Sequence, residues 1–236
     1  MMAISELLFV IAGAAMFVAA IVWCARLPLF PLSEVVVINS LKQVQYDDLQ
    51  EALAKDLNGN FFSVDIDALR DSVEKIAWVR HAEIRRRWPG KIELEIEEHT
   101  AVALWGDDTG QLVNTYGEIF MASAIDPSEE VMPVFLGPES LASEMLDFYL
   151  YAKTMLKNVG REPKGVAVSQ RLAVQMQLDD AMIIEFGRRQ SKVSINERLQ
   201  RFVEYYPSIL GAAKRRPSVV DMRYPSGFAL RQGSAN

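Results

Sequence analysis

Cysteine is almost absent: the chain has one in 236 residues, Cys24, inside an apolar run. The remainder has no disulfide framework, and a thiol-free region of this size suits an oxidising space outside the cytoplasm. Histidine is nearly as scarce. His81 and His99 are the two, and neither falls in a metal-ligand spacing such as HExxH or beside a serine-nucleophile motif. The glycine signatures GxGxxG and GxxxxGK and the GxSxG elbow are missing too. These absences remove common routes to metal, nucleotide and acyl-transfer chemistry. Positive charge is not in excess, since 25 Lys and Arg face 31 Asp and Glu for a net −6, and this argues against a nucleic-acid surface. No Lys or Arg precedes Arg26, so the flanks do not mark a cytoplasmic side. Met1-Met2 offers two possible starts.

Charge is missing altogether from Leu7 to Ala25, nineteen residues. At about 1.5 Å of rise per residue, this run with Ala3 and Ile4 before it matches the roughly 30 Å hydrocarbon layer. It lacks a basic start and exceeds the about 7–15 apolar residues of a signal peptide. Cys24 follows the bulky Trp23, which excludes a lipoprotein-type site. The run is therefore expected to be an uncleaved transmembrane helix over residues 3–25, behind a short tail at 1–6.

Beyond it the chain changes character near Thr100, and two domains are expected, at 30–100 and 101–232, with a tail at 233–236. In the first, Ser33 to Ile38 has the β-branched content of a strand. Asp47 and Gln50 then suggest a capping-box-like start for a helix with Leu49, Leu53 and Leu57 four apart, ended by Asn58-Gly59-Asn60. A second helix opens near Asp65 and aligns Ile66, Leu69, Val73 and Ile76. Val79 to Trp88 is predicted as a strand, Pro89-Gly90 as a turn, and Lys91 to Glu98 as a strand with Ile92, Leu94 and Ile96 inward and Lys91, Glu93, Glu95 and Glu97 outward. The order is β-α-α-β-β.

The second domain is strand-rich around residues 103–105, 112–114 and 119–121, with Gly and Asp turns between. A helix is expected from Pro138, burying Leu141, Met145, Phe148, Ala152 and Met155 before Gly160. Leu172, Val174, Met176 and Leu178 alternate with polar neighbours, and Asp179-Asp180-Ala181 turns the chain into Met182, Ile184 and Phe186. Ser194 and Glu197 form a capping box for a helix burying Leu199, Phe202, Val203 and Tyr206. Strands over Val219 to Tyr224 and Phe228 to Arg231 close the chain around Pro225-Ser226-Gly227. The fold class is α+β.

Polar clusters have ordinary explanations. Glu95, Glu97, Glu98 and His99 are the sharpest metal candidates, yet Glu95 and Glu97 lie on the solvent face of an alternating strand, where such charges stay solvated. His81 is expected as a surface strand residue. Arg85-Arg86-Arg87 faces Glu93, Glu95 and Glu97 across the hairpin, so cross-strand pairing accounts for it without a ligand. Lys214-Arg215-Arg216 fits a solvated turn. No catalytic, metal or cofactor residue emerges.

Three stretches carry a resemblance: FFSVDIDALRDSVEKIAWVRHAEIRRRWPGKIELEIEEHTAVALWG (Phe61 to Gly106), ERLQRFVEYYP (Glu197 to Pro207) and VVDMRYPSGFALR (Val219 to Arg231). With these the chain resembles the FtsQ/DivIB family of bacterial cell-division proteins over essentially its whole length. The resemblance implies a single-pass type II inner-membrane protein with its N-terminus in the cytoplasm, a periplasmic POTRA domain next to the membrane, and a mixed β-domain with two helices beyond it. It implies a non-enzymatic divisome scaffold at the septum that recruits FtsB and FtsL and links them to septal peptidoglycan synthesis, with other divisome proteins meeting the POTRA domain. It implies neither a nucleic-acid partner nor a small-molecule substrate. Carried over to this sequence, the partner contacts are Tyr224, Ser226, Gly227 and Phe228, with Arg171 on a strand starting at Arg171-Leu172.

A mechanism follows from the backbone. The last strand is a natural sheet edge, where a partner segment can add by main-chain hydrogen bonds. Tyr224 and Phe228 would be aromatic anchors, Arg171 a fork for a carboxylate, and Gly227 room for close approach. Two alternatives remain open. One is a POTRA-bearing envelope assembly or secretion factor, a class that usually carries several POTRA repeats and a β-barrel, neither visible here. The other is a membrane-tethered envelope hydrolase, for which no convergent acid and base are found.

Overall fold

The computed structural model describes residues 2–25, 30–106, 110–122, 132–188, 193–212, 217–225 and 227–231. Helix α1 covers Met2–Ala25. Counted over the described residues alone, no helix is long and apolar enough to cross a membrane. The chain divides into two compact units, Met1–His99 and Thr100–Asn236.

The first unit has the expected β-α-α-β-β order: β1 (Glu34–Val37), α2 (Tyr46–Asp56), α3 (Ile66–Val73), β2 (Val79–Arg87) and β3 (Lys91–Glu98). Strand β3 lies between the other two, antiparallel to β2 and parallel to β1. Its alternation is obeyed, with Ile92, Leu94 and Ile96 at most 2% exposed. Those three meet Leu49, Leu53, Leu69 and Val73 from the helices in one core. Asp65 caps α3 by accepting from the N–H groups of Asp67 and Ala68. The α2 cap differs from expectation: Gln45 holds that position without a side-chain bond, and Asp47 lies inside the first turn, where its charge suits the helix dipole.

The Arg cluster pairs across the hairpin only in part. Arg87 faces Glu93 at 3.6 Å, but Arg85 bonds Glu83 on its own strand and Arg86 Nη2 donates to the Val64 carbonyl. Glu97 takes Arg80 instead, at 3.1 Å. Glu98, one of the metal candidates, accepts from three successive backbone N–H groups, those of Lys42, Gln43 and Val44. Among the described residues no group of three His, Cys, Asp or Glu side chains is placed to hold a metal ion. His81 is exposed on β2, its Nδ1 2.7 Å from Glu74.

The second unit is one nine-stranded sheet. Its strands are β4 (Ala101–Trp105), β5 (Gln111–Asn114), β6 (Ile119–Met121), β7 (Val134–Leu136), β8 (Pro163–Val168), β9 (Ala173–Leu178), β10 (Ile183–Arg188), β11 (Val219–Asp221) and β12 (Ala229–Arg231). The spatial order is β12-β11-β10-β9-β8-β7-β4-β5-β6. Helix α4 (Ala142–Leu156) joins β7 to its parallel neighbour β8, and α5 (Ile195–Ala212) joins β10 to its parallel neighbour β11. Strands β7, β8, β10 and β11 share one direction and both crossovers step the same way along the sheet, so the right-handed rule puts both helices on one face. The core agrees: Phe135, Val166, Met176, Ile184, Phe186 and Val220 of the sheet bury against Met145, Tyr149, Leu199 and Phe202 of the helices.

The long helix starts later than Pro138 suggested. A 3₁₀ turn occupies Glu139–Leu141 with Pro138 before it. The buried stripe of α4 is accordingly Ala142, Met145, Leu146, Tyr149, Ala152 and Leu156, while Leu141, Phe148 and Met155 are only partly buried. The capping box of α5 is present in both directions, with Glu197 N–H donating to Ser194 Oγ and Ser194 N–H to the Glu197 carboxylate. Lys214-Arg215-Arg216 lies outside the described residues.

Candidate functional site

Among the described residues, strand β12 pairs only with β11 and forms one border of the sheet. A border strand of this kind presents unpaired N–H and C=O groups on its free side. Strand β11 ends at Asp221, earlier than expected, so Tyr224 belongs to the loop leading into β12 and not to a strand. Its side chain is 54% exposed.

That loop is held from two sides. From α5, Arg201 donates through Nη2 to the carbonyls of Met222, at 3.1 Å, and Tyr224, at 2.7 Å, and through Nη1 to the carbonyl of Pro225. A planar guanidinium with five donors suits such a convergence of carbonyls. From the strand side, Asp221 is nearly buried and holds Arg223 in a fork, with Nη2 2.5 Å and Nε 2.8 Å from its oxygens. Hydrogen bonding from Arg223 holds the Asp221 carboxyl below its ordinary value, against the opposing effect of burial. The same fork raises the Arg223 guanidinium above its own. Glu185 of β10 lies 3.5 Å from Arg223 and 3.6 Å from Arg231, which completes a charged row across three strands.

One turn before Arg201, Arg198 is fully buried and donates to the carbonyls of Phe186, Arg188 and Val193. Burial first, and then the charge of Arg201, draw it below its ordinary value. One face of α5 thus carries two arginines whose guanidinium groups fasten backbone carbonyls.

Arg171 is exposed in the β8–β9 turn, and β9 starts at Ala173, not at Arg171-Leu172. Leu172 is 54% exposed with φ 60°, so the inward position expected of it is corrected as well. A turn with a left-handed residue ends the alternation that the sequence pattern extended too far. Arg171 and Tyr224 nevertheless occupy the same end of the sheet, where β8, β10 and β11 terminate. At about 4.8 Å between strands, the two turns are roughly 10–15 Å apart.

Phe228 is half-buried against the core, its ring centroid 6.4 Å from that of Tyr205. A Cβ built on Gly227 would meet nothing within 4 Å. Ser226 lies outside the described residues. Sequence reasoning missed Arg201, Asp221 and Arg223. Arg201 is half-buried at the margin of the face that Leu199 and Phe202 bury, and nothing in the local pattern singled it out.

Comparison with known proteins agrees with this architecture. A family model described as POTRA domain, FtsQ-type, matches residues 30–99, and one described as cell division protein FtsQ/DivIB, C-terminal, matches residues 103–223. The cell division protein FtsQ of Nitrosospira multiformis is 34% identical over 233 residues, 97% of this chain and 94% of that protein. FtsQ of Burkholderia pseudomallei is 33% identical, covering 95% of this chain and 87% of its own, and that of Escherichia coli 29% identical, covering 88% and 75%. The chain belongs to the FtsQ/DivIB family of cell division proteins.

Proposed function

We propose that this protein is a single-pass inner-membrane scaffold of the divisome that recruits and holds FtsB, and with it FtsL, by strand addition at β12. Residues 3–25 are the anchor, 1–6 a cytoplasmic tail, and the domains at 30–100 and 101–232 stand in the periplasm at the septum, where other divisome proteins meet the first. The reading involves binding alone, with no catalytic step, metal or cofactor, and links the partners to septal peptidoglycan synthesis.

The observation that carries it is the open β12 border with an exposed tyrosine fixed at its entrance. Main-chain bonds along β12 would supply affinity, and Tyr224 would select the partner by filling an apolar notch. Arg171, on its turn, is placed to meet a carboxylate further along the same partner segment, and the open space around Gly227 admits a close backbone. Phe228, half-buried, would stiffen the entry to β12 and turn its exposed part to the partner. Ser226 completes the set proposed from the family resemblance.

A photocrosslinking residue at position 228 in dividing cells tests this. FtsB captured at that position, and lost on Tyr224→Ala or Ser226→Glu, is the expected result. Undiminished capture in both variants would refute the site, and capture of no division protein would refute the function.

A further inference from the structure

We propose that a second contact with the bilayer is built into the first unit: an aromatic patch of Phe30, Phe62 and Trp88, backed by the buried Phe61, that seats this unit in the headgroup–acyl boundary. The inference rests on the reading of residues 3–25 as a membrane anchor.

Three separate pieces of chain bring these rings together. Phe30 stands at the entry to the unit, Phe61 and Phe62 precede α3, and Trp88 is at the tip of the β2–β3 hairpin. Ring centroids are 5.1 Å apart for Phe30 and Phe62, 6.0 Å for Phe30 and Trp88, and 5.8 Å for Phe61 and Trp88. Packing buries Phe61 and half-buries Phe30, but it does not hide the other two: Trp88 stays 63% exposed and Phe62 46%. Such aromatic pairs usually go to a core or an interface. A cluster left half in solvent, on a unit whose core is closed elsewhere, marks a surface with an occupant.

Chain length says which occupant. Phe30 is already fastened to the unit, because its carbonyl accepts from Phe61 N–H at 3.0 Å, and Ser33 N–H donates to Gly90 of the hairpin tip at 2.8 Å. Gly90 itself has φ +74°, and a Cβ there would stand 2.8 Å from the Pro31 carbonyl, so the entry strand is laid directly on the tip. Only residues 26–29 separate Ala25, the last residue of the uncharged run, from Phe30. Five chain steps reach at most about 18 Å. The patch is thus tethered close to where the anchor leaves the hydrocarbon, within reach of the layer that tryptophan and other aromatics prefer.

The chemistry is aromatic more than ionic. Arg86, Arg87 and Lys91 are nearby, but Lys91 pairs with Glu34 at 2.6 Å and Arg87 with Glu93 at 3.6 Å, and Arg86 donates to the Val64 carbonyl. Two of these three charges are thus paired with carboxylates, so acidic lipid can add to the contact without being required for it, and contact should survive in a neutral bilayer.

The test uses the full chain with Cys24→Ser, reconstituted in phosphatidylcholine nanodiscs with or without phosphatidylglycerol and carrying a nitroxide at Phe62→Cys. A second sample carries it at Glu95→Cys, on the exposed face of β3 several residues from the hairpin tip. The expected result is an oxygen-to-nickel-chelate accessibility ratio several-fold higher at 62 than at 95 in both lipids, falling toward the value at 95 when Trp88→Ser is added. Circular dichroism melts identify any variant that misfolds, and the unsubstituted Trp88 sample then still decides between the two sites. Equal, aqueous accessibility at 62 and 95 in discs that retain the protein would overturn the patch alone. Failure of the protein to stay with the discs would overturn the anchor reading and this inference with it. Shielding at 62 that appears only after another division protein is added would assign the patch to that protein and refute the lipid contact.

Discussion

Replacing Arg201 by Met removes the fork from the Tyr224 loop while keeping a side chain of similar reach on α5. Three carbonyls lose their donor, those of Met222, Tyr224 and Pro225. A hydrogen bond to a charged donor contributes about 1.5–3 kcal/mol when buried. Two of these lie in exposed surroundings where water substitutes, so about 1 kcal/mol each is a fair value and the whole clamp is about 2–3 kcal/mol. Since every 1.4 kcal/mol is tenfold, the ordered loop loses roughly 30- to 100-fold in population against its open forms. Affinity for a partner that binds only the ordered loop falls once the open forms dominate. Calorimetric titration with an FtsB segment should therefore show binding weakened by about tenfold or more, and hydrogen exchange should quicken at residues 222–225 with little change in β9 and β10. Arg201→Lys, which brings one ammonium to three carbonyls, should recover part of the loss. Coupling is the sharper measure: in the Tyr224→Ala background Arg201→Met should cost far less, because both act through the same ring. Wild-type affinity in a variant whose loop exchanges faster would refute the reasoning, since loop order would then be irrelevant to binding.

Asp221→Asn should remove the Arg223 fork and destabilise the second unit by about 1–2 kcal/mol at neutral pH. Because the folded carboxyl lies below its ordinary value, the stability it supplies is complete above about pH 4 and fades as pH falls through the folded value. Denaturant midpoints of wild type and variant should then converge in strong acid and stay apart at pH 7. Glu98→Gln leaves one carbonyl oxygen to meet the N–H groups of Lys42, Gln43 and Val44, and should lower the first unit's stability by about 1–2 kcal/mol, seen as an earlier first transition in calorimetry. Gly165→Ala puts a Cβ 2.8 Å from the Val134 carbonyl, between the paired strands β7 and β8. Overpacking against backbone should cost about 1–3 kcal/mol in chemical unfolding of the second unit.

Much of the fold was legible because local and tertiary demands coincide. In β3 the period of two and the burial of Ile92, Leu94 and Ile96 agree, and the Ser194–Glu197 box announces α5 where it begins. Strands β7 and β8 escaped notice for a physical reason. They sit in the middle of the sheet, three and six residues long, and Pro163, Gly165 and Pro133 punctuate them as a loop would be punctuated. Strand β7 pairs in parallel and at long range on both sides, with β4 and β8, and β8 adds to that an antiparallel pairing with β9, so β7 is held by neighbours that no local pattern reveals. The α4 stripe came out a residue or so displaced because a 3₁₀ turn absorbs residues 139–141 before the regular helix. At the site, the resemblance pointed to Tyr224 and the residue pattern to a closing strand, but neither revealed what fixes the loop between β11 and β12, since Arg201 and Asp221 act through contacts 21 or more residues away or with a neighbour two residues on.

The shortness of β12 limits what strand addition can do by itself. Its described part is three residues, Ala229–Arg231. In an antiparallel or parallel ladder, only alternate residues direct both N–H and C=O toward the free side. Such a border offers two or three main-chain bonds to a newcomer, at about 1 kcal/mol each. Association alone costs at least about 4 kcal/mol in lost freedom. A generic strand drifting onto the described part of β12 thus gains too little to stay. A partner that is retained has to draw the balance from side chains at the carboxyl end of the sheet, where Tyr224 is exposed and Arg171 shares the same rim. If a partner adds at β12 as proposed, these energetics shift the burden of recognition from the ladder to the loop, and the two arginines of α5 that fasten its surroundings would matter to binding as much as the strand itself.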